Sequence, residues 1–181
     1  MKALIPALAL GGLLGLSSMA HAADGTITIN GVVEDTTCSI NGGTAGSSYS
    51  KTITLPSVNA SSLTSPGQTA GTSQPADLHF ALSGCTSGVK AIASFENGSK
   101  VNQDSGNLIN SGTAENVEVQ LLNGNMAPIN ITTNSNNTMD SNGAAITGGV
   151  ADLKYFARYY ATGQATAGTV NTSVNFTMQY Q

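Results

Sequence analysis

The stretch Ala23–Ile40, ADGTITINGVVEDTTCSI, contains a strand with no evident partner. Ile27 and Ile29 alternate with Thr26, Thr28 and Asn30, the period of an extended chain with one apolar face. No turn signal followed by a matching strand lies close enough to close a simple hairpin. The preceding residues, MKALIPALALGGLLGLSSMAHA, read as a secretory signal over 1–22. Lys2 supplies the positive start, Ile5 to Leu16 the apolar core, and Ala20 to Ala22 the small-x-small cleavage site. The core is short for a membrane anchor and lacks a basic stop-transfer flank. Cleavage after Ala22 makes the lone strand the start of an exported chain whose size suits one domain.

The whole chain carries 6 basic and 10 acidic side chains, and only 9% of its residues are charged. Beyond the leader the basic residues Lys51, Lys90, Lys100, Lys154 and Arg158 are scattered, which argues against nucleic acid as a partner. No later apolar segment approaches spanning length, so no direct membrane insertion is expected. Cys38 and Cys85 are the two cysteines. In an exported chain the default is one disulfide between them, a staple rather than a redox pair, because no CxxC spacing is present.

Period-2 patterns recur along the chain. KTITLP places Ile53 and Leu55 together before Pro56; ADLHFALSGC places Leu78, Phe80 and Leu82 on one face; VKAIASFENG alternates weakly and turns at Asn97–Gly98. ENVEVQLLNGN groups Val117, Val119 and Leu121 and turns at Asn123–Gly124, and APINIT predicts a short strand around Ile129 and Ile131. The run Val170–Tyr180 puts Val174, Phe176, Met178 and Tyr180 on one face. ADLKYFARYY fits a helix through Leu153, Phe156, Ala157 and Tyr160, or a strand through Leu153, Tyr155, Ala157 and Tyr159. Periodicity alone does not decide; aromatic content and all-β surroundings favour the strand. Segments 59–74 and 132–149, rich in Ser, Thr, Asn and Gly, read as surface loops that can vary without disturbing the core. The expected class is all-β, an antiparallel sandwich.

Catalytic and cofactor chemistry is not evident. His79 is the one histidine beyond the leader and alternation turns it outward, so neither a serine nucleophile nor a zinc site has its partners. No carboxylate pair stands out, and no GxSxG, GxGxxG or GxxxxGK occurs. No enzyme activity, metal or cofactor is expected.

Three features converge: GTITINGVVEDTTCSI after the leader, a second cysteine in LHFALSGC, and the ending YYATGQATAGTVNTSVNFTMQYQ. Their order and the penultimate Tyr180 resemble the type 1 fimbrial subunits, the pilins assembled by the chaperone–usher route. That resemblance implies an incomplete immunoglobulin-like sandwich lacking its final strand, completed in trans by a donor strand. A periplasmic pilus chaperone first fills the resulting groove. At the outer-membrane usher the extension of the next subunit replaces it, giving a polymer of neighbouring fimbrial subunits on the surface of a Gram-negative bacterium.

The lone strand then has its partner in another molecule. The expected division is a leader over 1–22, a donor extension over 23–31 and a pilin domain over 32–181, with Val32 and Val33 beginning the domain's own first strand. The inward set of the donor is Ala23, Gly25, Ile27, Ile29 and Gly31, and Gly25 matches the family's small donor position. Val174, Phe176, Met178 and Tyr180 line the acceptor groove, and the carboxylate of Gln181 is what such chaperones anchor. Cys38–Cys85 matches the family's staple, and Gly163 and Gly168 fit the turn before the last strand. The chain has room for the pilin domain alone, which favours a structural shaft subunit over a tip adhesin. A receptor-binding minor subunit, using the 59–74 loop, is the alternative.

Overall fold

The computed structural model describes residues 38–85 and 90–181, all within the unit Glu34–Gln181. The expected leader, the donor extension, and Val32 and Val33 lie outside the described residues. Nine strands are found among those described: β1 (Ser39–Ile40), β2 (Thr69–Ala70), β3 (Leu78–Ser83), β4 (Lys90–Phe95), β5 (Leu108–Ile109), β6 (Val117–Leu122), β7 (Ala144–Ala145), β8 (Ala151–Ala161) and β9 (Phe176–Tyr180). One sheet runs β1-β3-β8-β6-β5, with β2 also pairing β8; the other runs β7-β4-β9. Every pairing is antiparallel. The described residues form an all-β, open sandwich, incomplete relative to a closed immunoglobulin-like fold.

The long β8 organises the first sheet. Its first half pairs β3, from Leu78↔Tyr155 to Leu82↔Ala151, and its second half pairs β6, from Val117↔Ala161 to Leu122↔Phe156. The segment that fits either periodicity is thus a strand, with Leu153, Tyr155 and Ala157 buried. Tertiary pairing settles what local pattern leaves open, because each helical alternative would strand two sheet partners. Phe80 and Leu82 of β3, and Val119 and Leu121 of β6, complete this inner face. In β4 the alternation is weak because Ala91, Ile92 and Ala93 are all buried, on both faces of the strand.

Several expectations need adjustment. KTITLP is extended, with Ile53 and Leu55 half-buried and their neighbours exposed, but pairs with no strand among the described residues. Ile129 and Ile131 are buried, yet the segment forms isolated bridges, Leu122↔Pro128 and Asn130↔Ser135, rather than a strand. Loop 59–74 contributes buried Leu63 and Ser73, and loop 132–149 contributes buried Asn137, so neither is merely a surface connection. The latter also holds the short helix α1 (Met139–Asn142) and β7. The turn expected at Asn97–Gly98 lies two residues later, at Ser99–Lys100, where the Val101 N–H donates to Gly98 O at 3.0 Å. At Gly168 the chain passes so close to the Thr113 and Ala114 backbone that a Cβ would overlap it, which is what requires glycine there.

Candidate functional site

Two extended segments that pair with no strand among the described residues face one cavity. Segment 48–55 forms one bank and segment 170–175, which leads into Phe176 of β9, forms the other, around a groove of about 920 Å³. Its floor is the inner face of the sandwich: Leu78, Phe80, Phe95, Val119, Leu121 and Ala157. Phe80 spans the floor between the banks. Its ring lies 6.1 Å from Tyr49 on one side and 4.8 Å from Phe176 on the other, and edge-on to Tyr155 at 6.0 Å. Both banks show the same burial rhythm. Tyr49, Ile53 and Leu55 are half-buried, as are Val170, Thr172, Val174 and Phe176, while the residues between them face solvent. Apolar side chains half-buried along two facing segments leave core surface uncovered, which costs free energy in proportion to its area.

The hydrogen-bond register decides which backbone groups face that groove. Lys90 and Gln181 exchange both backbone bonds at 3.0 Å, and the Glu96 N–H donates to Asn175 O at 2.9 Å. In an antiparallel ladder such pairs alternate with non-bonded ones. Gln181, Gln179, Thr177 and Asn175 therefore turn their N–H and C=O groups toward β4. Val174, Phe176, Met178 and Tyr180 turn theirs to the opposite edge of β9. No strand among the described residues pairs with that edge, and the same four side chains are the inward-facing ones. An edge that combines unpaired main chain with an apolar face is a template for another strand.

The opposite edge of this sheet is closed by side chains. Beyond the two-residue β7, the Ala93 N–H donates to the Tyr155 hydroxyl at 3.1 Å and Ala93 O accepts from Asn137 Nδ2 at 2.9 Å. Burial pushes the Tyr155 phenol up to about 12, an effect moderated by its bond to the Ala93 backbone.

The expected acceptor residues separate into two groups. Val174 and Phe176 line the groove itself. Met178 and Tyr180 continue the same face and pack on the core. Burial raises the Tyr180 pKa, and a hydrogen bond with the Cys38 backbone partly opposes it. Gln181 is exposed and held to Lys90 through its main chain. Cys38 and Cys85 form a disulfide with Cα atoms 4.3 Å apart, joining the chain before β1 to the chain after β3. Donor positions Ala23, Gly25, Ile27, Ile29 and Gly31 lie outside the described residues. The bank Tyr49–Ile53–Leu55 was not assigned to the groove by the sequence reading, although the alternation of KTITLP was its signal.

No cluster of three metal-ligating side chains occurs among the described residues, nor a helix long and apolar enough to cross a membrane. His79 Nε2 lies 2.8 Å from the Asp152 carboxylate on the solvent side of the first sheet, away from the groove lining.

Residues 26–181 match the family described as Fimbrial protein. The chain is 38% identical over 167 residues to the major fimbrial subunit SMF-1 of Stenotrophomonas maltophilia, covering 89% of this chain and 95% of that protein. It is 38% identical over 177 residues to the F17 fimbrial protein of Escherichia coli, covering 91% and 92%. In fold it is similar to a Burkholderia pseudomallei antigen and type I fimbria protein, with a TM-score of 0.53 and 24% identity over 81% of this chain and 91% of that one.

Proposed function

This chain belongs to the fimbrial protein family and is a structural subunit of a chaperone–usher fimbria, exported through the periplasm to the cell surface; on that premise we propose that it polymerises by donor-strand exchange, residues 23–31 of one copy filling the groove of the next. The observation that carries the proposal is that two banks, 48–55 and 170–175, pair with no strand among the described residues and face one groove with an apolar floor. An inserted strand would hydrogen-bond to Val174, Phe176, Met178 and Tyr180 through the main chain. Its side chains Ala23, Gly25, Ile27, Ile29 and Gly31 would cover the floor. Burying each isoleucine is worth roughly 1.5–3 kcal/mol by transfer from water.

A periplasmic chaperone would occupy the groove first, contacting the same edge and Gln181, and the usher would be the place of exchange. The chain is then divided into a leader over 1–22, a donor over 23–31 and an acceptor domain over 32–181. The relative SMF-1 is named as a major subunit, which supports a repeating shaft role here. The family is one of structural proteins, so the groove is a site for a strand rather than for a reaction.

The test uses the exported chain with Ile27→Asp and Ile29→Asp, which disables the donor and leaves the groove intact. Adding a synthetic peptide of residues 23–31 at about 100 times its Kd should stabilise this chain by about 2.7 kcal/mol, raising Tm by roughly 5–10 °C. The same chain should form no fibres when expressed with its chaperone and usher. Unchanged Tm with the peptide, or normal fibres from the double variant, would sink the proposal.

A further inference from the structure

The dipeptide Asn–Gly occurs five times in the chain, beginning at Asn30, Asn41, Asn97, Asn123 and Asn142. In this pair a side-chain amide is most open to attack by the next residue's backbone nitrogen, because glycine has no Cβ to shield that nitrogen or restrict its approach. Asn30 lies outside the described residues. The fold treats the other four differently, and in three of them it ties down one of the two reacting groups.

Asn123 is 4% exposed, its Nδ2 donates to Asn136 O at 2.9 Å, and its Oδ1 accepts from the Asn125 and Ala127 N–H groups. Both ends of the Asn41 amide are held on the β3 backbone: Nδ2 donates to His79 O at 3.0 Å and Oδ1 accepts the Ala81 N–H at 2.8 Å. At Asn142 the nucleophile is engaged, since the Gly143 N–H donates to Met139 O at 3.0 Å. Asn97 and Gly98 are both exposed, and the Gly98 N–H has no partner among the described residues. The Asn97 amide bonds only to another exposed side chain. Its Nδ2 donates to Gln103 Oε1 at 3.0 Å, and Gln103 Nε2 donates back to Asn97 Oδ1 at 2.8 Å.

We propose that Asn97–Gly98 is a site of spontaneous covalent modification, restrained by the Gln103 amide. Cyclisation requires the Asn97 amide to swing out of its pair with Gln103. The Gly98 nitrogen then attacks Asn97 Cγ: the N–Cγ bond forms, the Cγ–Nδ2 bond breaks, and the Gly98 amide proton leaves with Nδ2 as ammonia. Solvent water opens the resulting succinimide at either carbonyl, leaving an aspartyl or isoaspartyl residue at position 97. The product carboxylate accepts but does not donate, so the bond to Gln103 Oε1 is lost. It also stands beside the carboxylate of Glu96, whose Oε1 accepts from Thr177 Oγ1 of β9 at 2.8 Å. The exported chain thus carries an ageing site just past the end of β4, independent of how its groove is filled.

The test incubates the folded, exported chain in mildly alkaline buffer and maps its peptides by mass spectrometry, with the isoaspartyl product read by enzymatic methylation. Conversion of amide to acid should appear first at position 97, with Asn41, Asn123 and Asn142 intact. In denaturant all four should convert at similar rates. Gln103→Ala should speed conversion at 97 about two- to twelvefold, the rate factor equivalent to one net hydrogen bond. Gly98→Ala should lower it to the level of the other three sites; its Cβ would meet nothing within 4 Å, so the fold accepts it. Buried Asn123 is the internal reference, since conversion there reports unfolding of a variant rather than a local effect. Conversion in the folded parent at Asn41, Asn123 or Asn142 as fast as at Asn97, or none at Asn97, would overturn the proposal. So would an equal preference for Asn97 in denaturant. A Gln103→Ala chain that converts no faster than the parent would overturn the restraint assigned to the amide pair.

Discussion

Removing the Tyr155 hydroxyl should reveal how the two sheets are tied beneath the groove. Tyr155 is 3% exposed, and its ring stands edge-on to Phe80 at 6.0 Å and to Phe95 at 5.1 Å. Its hydroxyl accepts the Ala93 N–H at 3.1 Å, and Ala93 is fully buried. Tyr155→Phe keeps the ring and both aromatic contacts but leaves that N–H without a partner. A buried, unsatisfied donor costs about 1–3 kcal/mol, which is the expected loss near pH 8.

The phenol adds a second, pH-dependent signature. Burial holds its pKa at about 12, against the usual 10, so the folded chain keeps the proton more tightly than the unfolded one. Stability linked to this group is complete below pH 10 and is lost as pH rises through 10 toward 12. With about 1.36 kcal/mol per pKa unit, the parent gives up about 2 kcal/mol by pH 11.5, which the Phe variant has no means of losing. Tyr159 and Tyr180, also raised by burial, are common to both proteins and cancel in the comparison. Guanidinium unfolding of parent and variant at pH 8, 10, 11 and 11.5 measures the difference. It should be largest at pH 8 and shrink by about 2 kcal/mol by pH 11.5. A gap that stays constant with pH, or a variant as stable as the parent at pH 8, would refute the reasoning.

Two further outcomes can be measured in the same way. Cys38→Ala with Cys85→Ala opens a loop closed over a separation of 47 residues. The double variant should lose roughly 4 kcal/mol by the chain-entropy relation, and an unchanged denaturation midpoint would show the staple to be dispensable. Glu118, buried on β6, accepts from Asn102 Nδ2 through one oxygen and from Ser105 Oγ and Asn107 Nδ2 through the other. Glu118→Gln turns one of those oxygens into a donor and should cost about 1–3 kcal/mol, with faster amide exchange in residues 102–107; a thermal midpoint equal to the parent's would contradict this.

Much of the sandwich was legible because alternation is written in adjacent residues. Leu78–Phe80–Leu82 and Val117–Val119–Leu121 each display a core face at period 2, and both became strands on those faces. Alternation alone does not describe the outward face of β6. Glu118 and Gln120, which alternate with the apolar face, are buried as well, because loop 102–107 folds over them and Asn107 bonds to both. Asn137 likewise reads as loop material, yet it is 1% exposed and donates to the backbone of β4, 44 positions away. Such burial depends on segments distant in sequence, which no local period records.

The groove shows the same division. Sequence alone determined that 51–55 and 170–180 are extended with apolar inner faces, since Ile53 and Leu55, and Val174, Phe176, Met178 and Tyr180, alternate without help from the rest of the fold. It also determined, through the order of its motifs, a likeness to the fimbrial subunits. Only the tertiary structure decided that 51–55 and 170–175 face each other without pairing. The β4 register turns the even-numbered groups of β9 toward the groove, and Tyr155 and Asn137 close the other edge of that sheet. Alternation follows from chain geometry and the burial of one face, so neighbouring residues suffice to set it. Pairing depends on which strands arrive side by side in space, and an unpaired edge exists only once all the other pairings have been made.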